Sequence, residues 1–298
     1  MISPAKLRPN DKVAIISTAR KVTPAELEIA VQHLQNWGLQ VEFGPNLFQE
    51  ENQFAGSDAQ RLADLQWAID HPELKAVFFA RGGYGTTRII DDADFSGLEK
   101  FPKWLVGFSD ITALHCHANK LGFETIHAAM PFQFGKEGIG DALQSLKNVL
   151  FEDKILYEVA PHSFNKAEVA TGKVIGGNLS ILSHIIGTKS DIDTTDCILF
   201  LEDLDEYLYH IDRLLVHLKR CGKLDNLAGL IIGHMSDMKD NTVPFGKQAY
   251  EIIQHHIEKF DYPVCFDFPV GHEVQNMALI CGREATLTVG EEKVSLAY

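Results

Sequence analysis

Short apolar runs and longer amphipathic segments alternate through the first half of the chain. KVAIIST (12–18) is a run of strand type. PAELEIAVQHLQNWG (24–38) then carries a helical period, opened by Pro24 and closed by Gly38. QVEFGPNL (40–47) predicts a second strand. SDAQRLADLQWAIDHPE (57–73) predicts a helix capped by Ser57, with Leu62, Leu65 and Ile69 on one face. KAVFFAR (75–81) and WLVGFS (104–109) are continuously apolar, as strands buried on both faces of a parallel sheet are. This alternation predicts an α/β chain with an open, doubly wound parallel sheet, whose ligands bind at the carboxyl ends of the strands.

The pattern loosens after the helical segment DALQSLKNVLFE (141–152). PHSFNKAEVATGK (161–173) is polar and without period, and is expected to be a linker between residues 1–160 and a second domain, 174–298. The second block alternates again. It holds CILFLED (197–203), an amphipathic helix from Glu206 to about Cys221, GLIIGHM (229–235), a helix around Lys247 to Lys259, and PVCFDFP (263–269). Two β-rich runs around Gly290 predict a C-terminal hairpin.

Charge narrows the partners. Lys and Arg number 27 against 41 Asp and Glu, a formal charge of −14. Nucleic acid and anionic membrane are bound mainly through cations, so neither is expected as a partner; a local pocket for a small anion is still compatible with that balance. No apolar run approaches the ~18 residues of a membrane span, and the opening MISPAKLRPNDK lacks a signal-peptide core, so a cytoplasmic location is expected. Cys116, Cys197, Cys221, Cys265 and Cys281 are scattered, an odd set that forms neither a disulfide framework nor a zinc site.

Four places could carry chemistry. Ser109, in GFSD, sits where a buried strand turns into a helix. It reads either as a nucleophile held outward at the strand end, with the helix N-terminus supplying N–H donors to an oxyanion and Ile111 replacing the second glycine of G-x-S-x-G, or as a cap, a role Asp110 could equally fill. Arg81-Gly82-Gly83-Tyr84-Gly85 follows another strand and suits an oxyanion-hole wall, a phosphate cradle or a tight turn. Glu202-Asp203-Leu204-Asp205-Glu206 could bind magnesium, orient a histidine or favour a helix dipole, the last fitting Asp205 and Glu206 best. His272 follows PVCFDFP and is a natural general base. His115 and His117 lie two apart on a helix and point apart, and Gly-His-Glu at 271–273 does not extend to H-E-x-x-H, so no metal is expected.

Taken together, ARGGYGTTRIID (80–91), VGFSDITALH (106–115), GKVIGGNLSIL (172–182), LEDLDEYLYHIDRLL (201–215) and FPVGHEVQN (268–276) resemble the LD-carboxypeptidase family. These are the muramoyltetrapeptide carboxypeptidases, with the microcin C self-immunity peptidases among them. The resemblance runs nearly the full length; the one departure is ALICG after Asn276, where a proline is expected. It implies a serine peptidase with Ser109 as nucleophile, Glu202 as orienting acid and His272 as base. Backbone N–H groups of Gly83 and Asp110 would form the oxyanion hole, and Arg81 and Tyr84 are candidates to touch substrate. It further implies a flavodoxin-like N-terminal domain related to class I glutamine amidotransferases, a smaller swivelling β/α C-terminal domain, a homodimer and no cofactor. The implied reaction releases terminal D-Ala from murein tetrapeptide in cytoplasmic cell-wall recycling. Hydrolysis of aminoacyl-nucleotide analogues is the rival reaction. A non-catalytic anion-binding module built on Arg81 and Arg88 is the rival outside enzymology.

Overall fold

A computed structural model describes all residues, Met1–Tyr298. The first half builds β1 (Lys12–Ile16), α1 (Pro24–Asn36), β2 (Gln40–Phe43), α2 (Asp58–Asp70), β3 (Leu74–Phe79), α3 (Gly97–Lys100), β4 (Trp104–Gly107), α4 (Thr112–Lys120), β5 (Thr125–His127) and α5 (Gly140–Phe151). The strands pair in parallel in the order β2-β1-β3-β4-β5. Both faces are covered, which explains the unbroken apolar runs. Val13, Ile15, Phe78, Trp104 and Val106 enter one core, and Ala14, Ile16, Val77, Phe79 and Leu105 the other. Thr23 with Glu26, and Ser57 with Gln60, close reciprocal capping boxes that start α1 and α2.

The second half builds β6 (Leu156–Val159), β7 (Glu168–Asn178), α6 (Leu179–Ile185), β8 (Cys197–Leu204), α7 (Leu208–Arg220), β9 (Gly229–Ser236), α8 (Ala249–Ile257), β10 (Val264–Cys265), β11 (Leu279–Cys281), β12 (Glu284–Val289) and β13 (Val294–Ala297). Its sheet runs β10-β9-β8-β7-β12-β13-β6, parallel from β10 to β7 and antiparallel beyond. No helix is long and apolar enough to cross a membrane.

Three expectations shift. The 161–173 linker gives way at Glu168 to the first half of β7, whose outward face carries Val169, Thr171 and Lys173, with Glu168 exposed at the strand start, and so hides the strand in a polar stretch. The boundary at 160 also moves, because β6 pairs with β13 in the second sheet while β11 returns to extend the first beside β5. PVCFDFP contributes only two strand residues; Asp267 at φ +58 turns the chain, although Phe266 and Phe268 stay buried.

Strand β11 joins the two halves. Ile280 packs into a core of the first half, and Leu279 and Cys281 into one of the second. On the far side, Ala113 and Cys116 of α4 belong to a core of the second half. Two halves that share cores unfold as one unit. Fluorescence and far-ultraviolet dichroism should therefore give a single coincident denaturant transition, and Ile280→Ala should lower its free energy by about 2–5 kcal/mol without splitting it.

Candidate active site

The carboxyl ends of the parallel strands of both sheets face one cleft of about 510 Å³. Strand β4 ends at Gly107, and Ser109 follows at φ +64, a left-handed conformation that costs a non-glycine residue about 1 kcal/mol. That turn stands the hydroxyl out from the strand end. The fully buried His115 holds it from below by donating Nε2–H to the Gly107 carbonyl at 2.7 Å; burial pushes its pKa down to about 4, so the ring stays neutral. The Ile111 found in place of the second elbow glycine packs over Gly107, where a Cβ would come within 3.1 Å of its side chain.

Glu202 lies fully buried near the end of β8, at a register shift against β9. His272 follows Gly271 in the loop leading to β11. Its Nδ1–H donates to Glu202 Oε2 at 2.6 Å, which leaves Nε2 to accept from Ser109 Oγ at 3.0 Å. Burial alone would lower the His272 pKa, but the Glu202 charge and hydrogen bond, with help from Asp203, outweigh it and hold the pKa above its ordinary 6.5. Phe108 packs on the imidazole at 4.7 Å between centroids. His127 lies fully buried behind Phe108, its pKa held far down by burial, and it is not a competitor for the proton.

The rest of the acidic run has other duties. Asp203 accepts from Asn178 Nδ2, Leu204 N, and Ser180 N and Oγ, all at 2.8–3.0 Å, and so pins the start of α6. Burial and the neighbouring Glu202 raise its pKa to about 6. Asp205 pairs with Lys239, and Glu206 bonds His210 and Ser180 Oγ. Helix α7 begins only at Leu208, so Asp205 and Glu206 precede its first turn and line the cleft, where a helix-dipole role was expected. No group of three or more His, Cys, Asp or Glu converges as a metal ion requires.

The structure brings Ser109, Glu202 and His272 together, with Arg81, Gly82 and Gly83 on the same cleft wall. Gly82 approaches closely enough that a Cβ there would lie 3.1 Å from Ser109 Cβ. Asp110 turns its buried carboxylate away to accept Thr86 N–H at 2.9 Å, and burial raises its pKa. Tyr84 is not among the residues lining the cleft: past Gly83, at φ +112, its ring lies on Phe54 instead. Arg81 stacks on Phe132 at 4.0 Å. Sequence reasoning missed Arg20 and Lys136, which also line the cleft. Arg20 stands just past the carboxyl end of β1, so the strand-end rule could have found it. Asn276 was missed as well; its Oδ1 accepts Gly271 N–H at 3.0 Å and anchors the histidine loop.

Gly271 combines φ +132 with a Cβ position 3.0 Å from Glu202 Cβ and 3.1 Å from its Oε2. Gly271→Ala should therefore cost about 1–3 kcal/mol of stability and separate His272 from Glu202. A lowered melting temperature together with a turnover loss of at least about tenfold is the expected result; unchanged turnover would mean that the loop adapts freely.

Comparison with known proteins gives a consistent picture. The LD-carboxypeptidase N-terminal domain matches residues 13–128, and the LD-carboxypeptidase C-terminal domain residues 171–287. A protein of Bacillus subtilis (strain 168) named probable murein peptide carboxypeptidase is 35% identical over 97% of this chain and 92% of its own. The crystal structure of muramoyltetrapeptide carboxypeptidase from Oxalobacter formigenes superposes with a TM-score of 0.88 at 28% identity, covering 96% of this chain and 98% of that one. The microcin C7 self-immunity protein in complex with aspartyl sulfamoyl adenosine gives 0.89 at 20% identity over 100% of this chain and 99% of its own, a likeness of fold. The chain belongs to the LD-carboxypeptidase family and is a serine-type member of it.

Proposed function

We propose that this enzyme removes the terminal D-Ala from murein tetrapeptide, cutting the bond to the L-centre of the third residue, diaminopimelate or lysine. The observation that carries the reading is the hydrogen-bonded chain Ser109–His272–Glu202, with bonds of 3.0 and 2.6 Å, at the mouth of a cleft. His272 Nε2 takes the Ser109 proton as Oγ attacks the scissile carbonyl, and Glu202 holds the imidazolium that results. Backbone N–H groups of Gly83 and Asp110 receive the oxyanion, each worth about 3 kcal/mol in comparable sites. His272 passes the proton to the departing D-Ala amine. A water, deprotonated by His272 in turn, then hydrolyses the acyl-enzyme.

The same reading takes the first half as flavodoxin-like, which its strand order β2-β1-β3-β4-β5 supports. The second half is the smaller, swivelling β/α unit. The enzyme is placed in the cytoplasm, in cell-wall recycling, as a homodimer that binds neither nucleic acid nor membrane. A microcin-type substrate is the second reading, and the fold likeness to a protein holding aspartyl sulfamoyl adenosine is what favours it.

Incubated with N-acetylmuramyl-L-Ala-D-Glu-meso-diaminopimelyl-D-Ala, the wild type should release D-Ala, and Ser109→Ala should fold and release none. Release by the alanine variant would sink the nucleophile assignment, and cleavage of an aminoacyl-sulfamoyl adenosine alone would move the substrate. The pH dependence carries a sign as well. His272 must be neutral to accept the proton, so kcat/KM should rise through an apparent pKa above 6.5. Glu202→Gln removes the charge that raises that pKa and leaves burial, which lowers it. The acid limb should move to lower pH while the plateau falls by at least about 100-fold.

A further inference from the structure

We propose that Arg20 recognises the free carboxylate of the terminal residue and thereby makes this site an exopeptidase; the proposal rests on the carboxypeptidase reading above. Arg20 belongs to no motif of the family resemblance, and its place is set by β1. The chain leaves that strand at Ile16, Ser17 Oγ donates to the Arg20 carbonyl at 2.7 Å, and the Arg20 N–H reaches the Gly82 carbonyl at 3.4 Å. Its backbone is thus tied to the loop that walls Ser109.

The side chain then crosses Gly83. A Cβ at that glycine would lie 2.6, 2.7 and 2.8 Å from Arg20 Cδ, Nε and Cγ, so the bare backbone at φ +112 is the slot that receives the arginine stem. The guanidinium therefore stands over the residue whose N–H faces the scissile carbonyl. In a substrate with a single residue beyond the cut, the terminal carboxylate carbon is within about 4 Å of that carbonyl carbon, because only N and Cα intervene. A cation fixed over Gly83 is at the right remove to meet it.

The neighbouring cations are engaged elsewhere. Arg88 and Arg61 pair with Asp58, and Arg81 stacks on Phe132 with Glu26 at 3.9 Å. No protein carboxylate comes within ion-pair distance of the Arg20 guanidinium, which lines the cleft together with Ser109 and His272. A planar fork suits a carboxylate through two parallel hydrogen bonds. Lys136 also lines the cleft, from the segment after β5, but it offers a point charge on a flexible stem.

The test compares kcat/KM on the murein tetrapeptide acid and on the same peptide ending in D-alaninamide, for the wild type, Arg20→Gln, Arg20→Lys and Lys136→Ala. The glutamine keeps an aliphatic stem over Gly83 and removes the charge; the lysine keeps the charge and loses the fork. Wild type should prefer the acid strongly. Arg20→Gln should lose about 100-fold on the acid, mainly through KM, and no more than about threefold on the amide. Arg20→Lys should fall between, with Lys136→Ala retaining the preference. An unchanged acid-to-amide ratio in Arg20→Gln overturns the proposal, as does erasure of that ratio by Lys136→Ala alone. A wild type that releases D-Ala from the acid and D-alaninamide from the amide equally well overturns it while leaving the peptidase reading intact. A wild type inert on both overturns the reading and the proposal together.

Discussion

The site depends on the docking of one helix start against one strand end. Thr112, the first residue of α4, accepts the Asn178 N–H on its hydroxyl at 3.0 Å, and Gly177 beside it has no side chain to hold the surfaces apart; a Cβ there would lie 2.4 Å from Thr112 Oγ1. Three residues before Thr112 stands Ser109, and in register with Asn178 stands Glu202. The contact therefore sets the distance between Ser109 and Glu202, which come from different sheets. Asn178 reinforces it by capping α6 through Oδ1 and bonding Asp203 through Nδ2. Because α4 and β11 also share their cores with the opposite half, the docking is backed by apolar packing. A polar contact alone would be too weak to hold the halves in place.

Burying Glu202 completely fixes the histidine beside it at a cost to stability. Glu202 Oε2 binds His272, while Oε1 receives no hydrogen bond from another protein group. A buried carboxylate depends on that bond, and removing its partner would leave an isolated charge, a loss of about 3–5 kcal/mol. What the arrangement secures is a fixed tautomer. With Nδ1–H committed to Glu202, Nε2 can only accept, and it faces Ser109. The adjacent Asp203 divides the labour: four hydrogen bonds bind it into the scaffold, and it adds a second negative charge behind the imidazole.

The fold was legible where burial is uniform. Strands β1, β3, β4 and β8 lie inside sheets covered on both faces, and their apolar runs announce them. Strand β7 was hidden because its first half keeps one face in solvent, and β11 because three residues carry no period. The candidate triad could be read because each member follows a strand in a distinctive motif. The roles of Asp203, Asn276 and Arg20 could not. Each depends on what a distant segment places opposite it: the start of α6, the Gly271 peptide and the bare Gly83 backbone. Tyr84 shows the converse, since its motif put it beside the site and a left-handed glycine turned it out.

The cleft also divides its charge between two walls. A chain of formal charge −14 repels an anionic peptide at long range. At about 0.15 M salt that field fades within ~8 Å, so contacts inside the cleft decide the pose. Arg20, Arg81 and Lys136 line it from the first half, and Asp205 and Glu206 from the second. A ligand carrying a carboxylate at one end and an ammonium a residue away would lie across this gradient in one direction only, whereas a uniformly anionic ligand would meet repulsion on one wall. Ser109 sits on the cationic side, just past the end of β4. The gradient therefore turns the carboxylate end of such a ligand toward the hydroxyl. Orientation, supplied by walls from two different halves, is then fixed by the same docking that brings Ser109, His272 and Glu202 together.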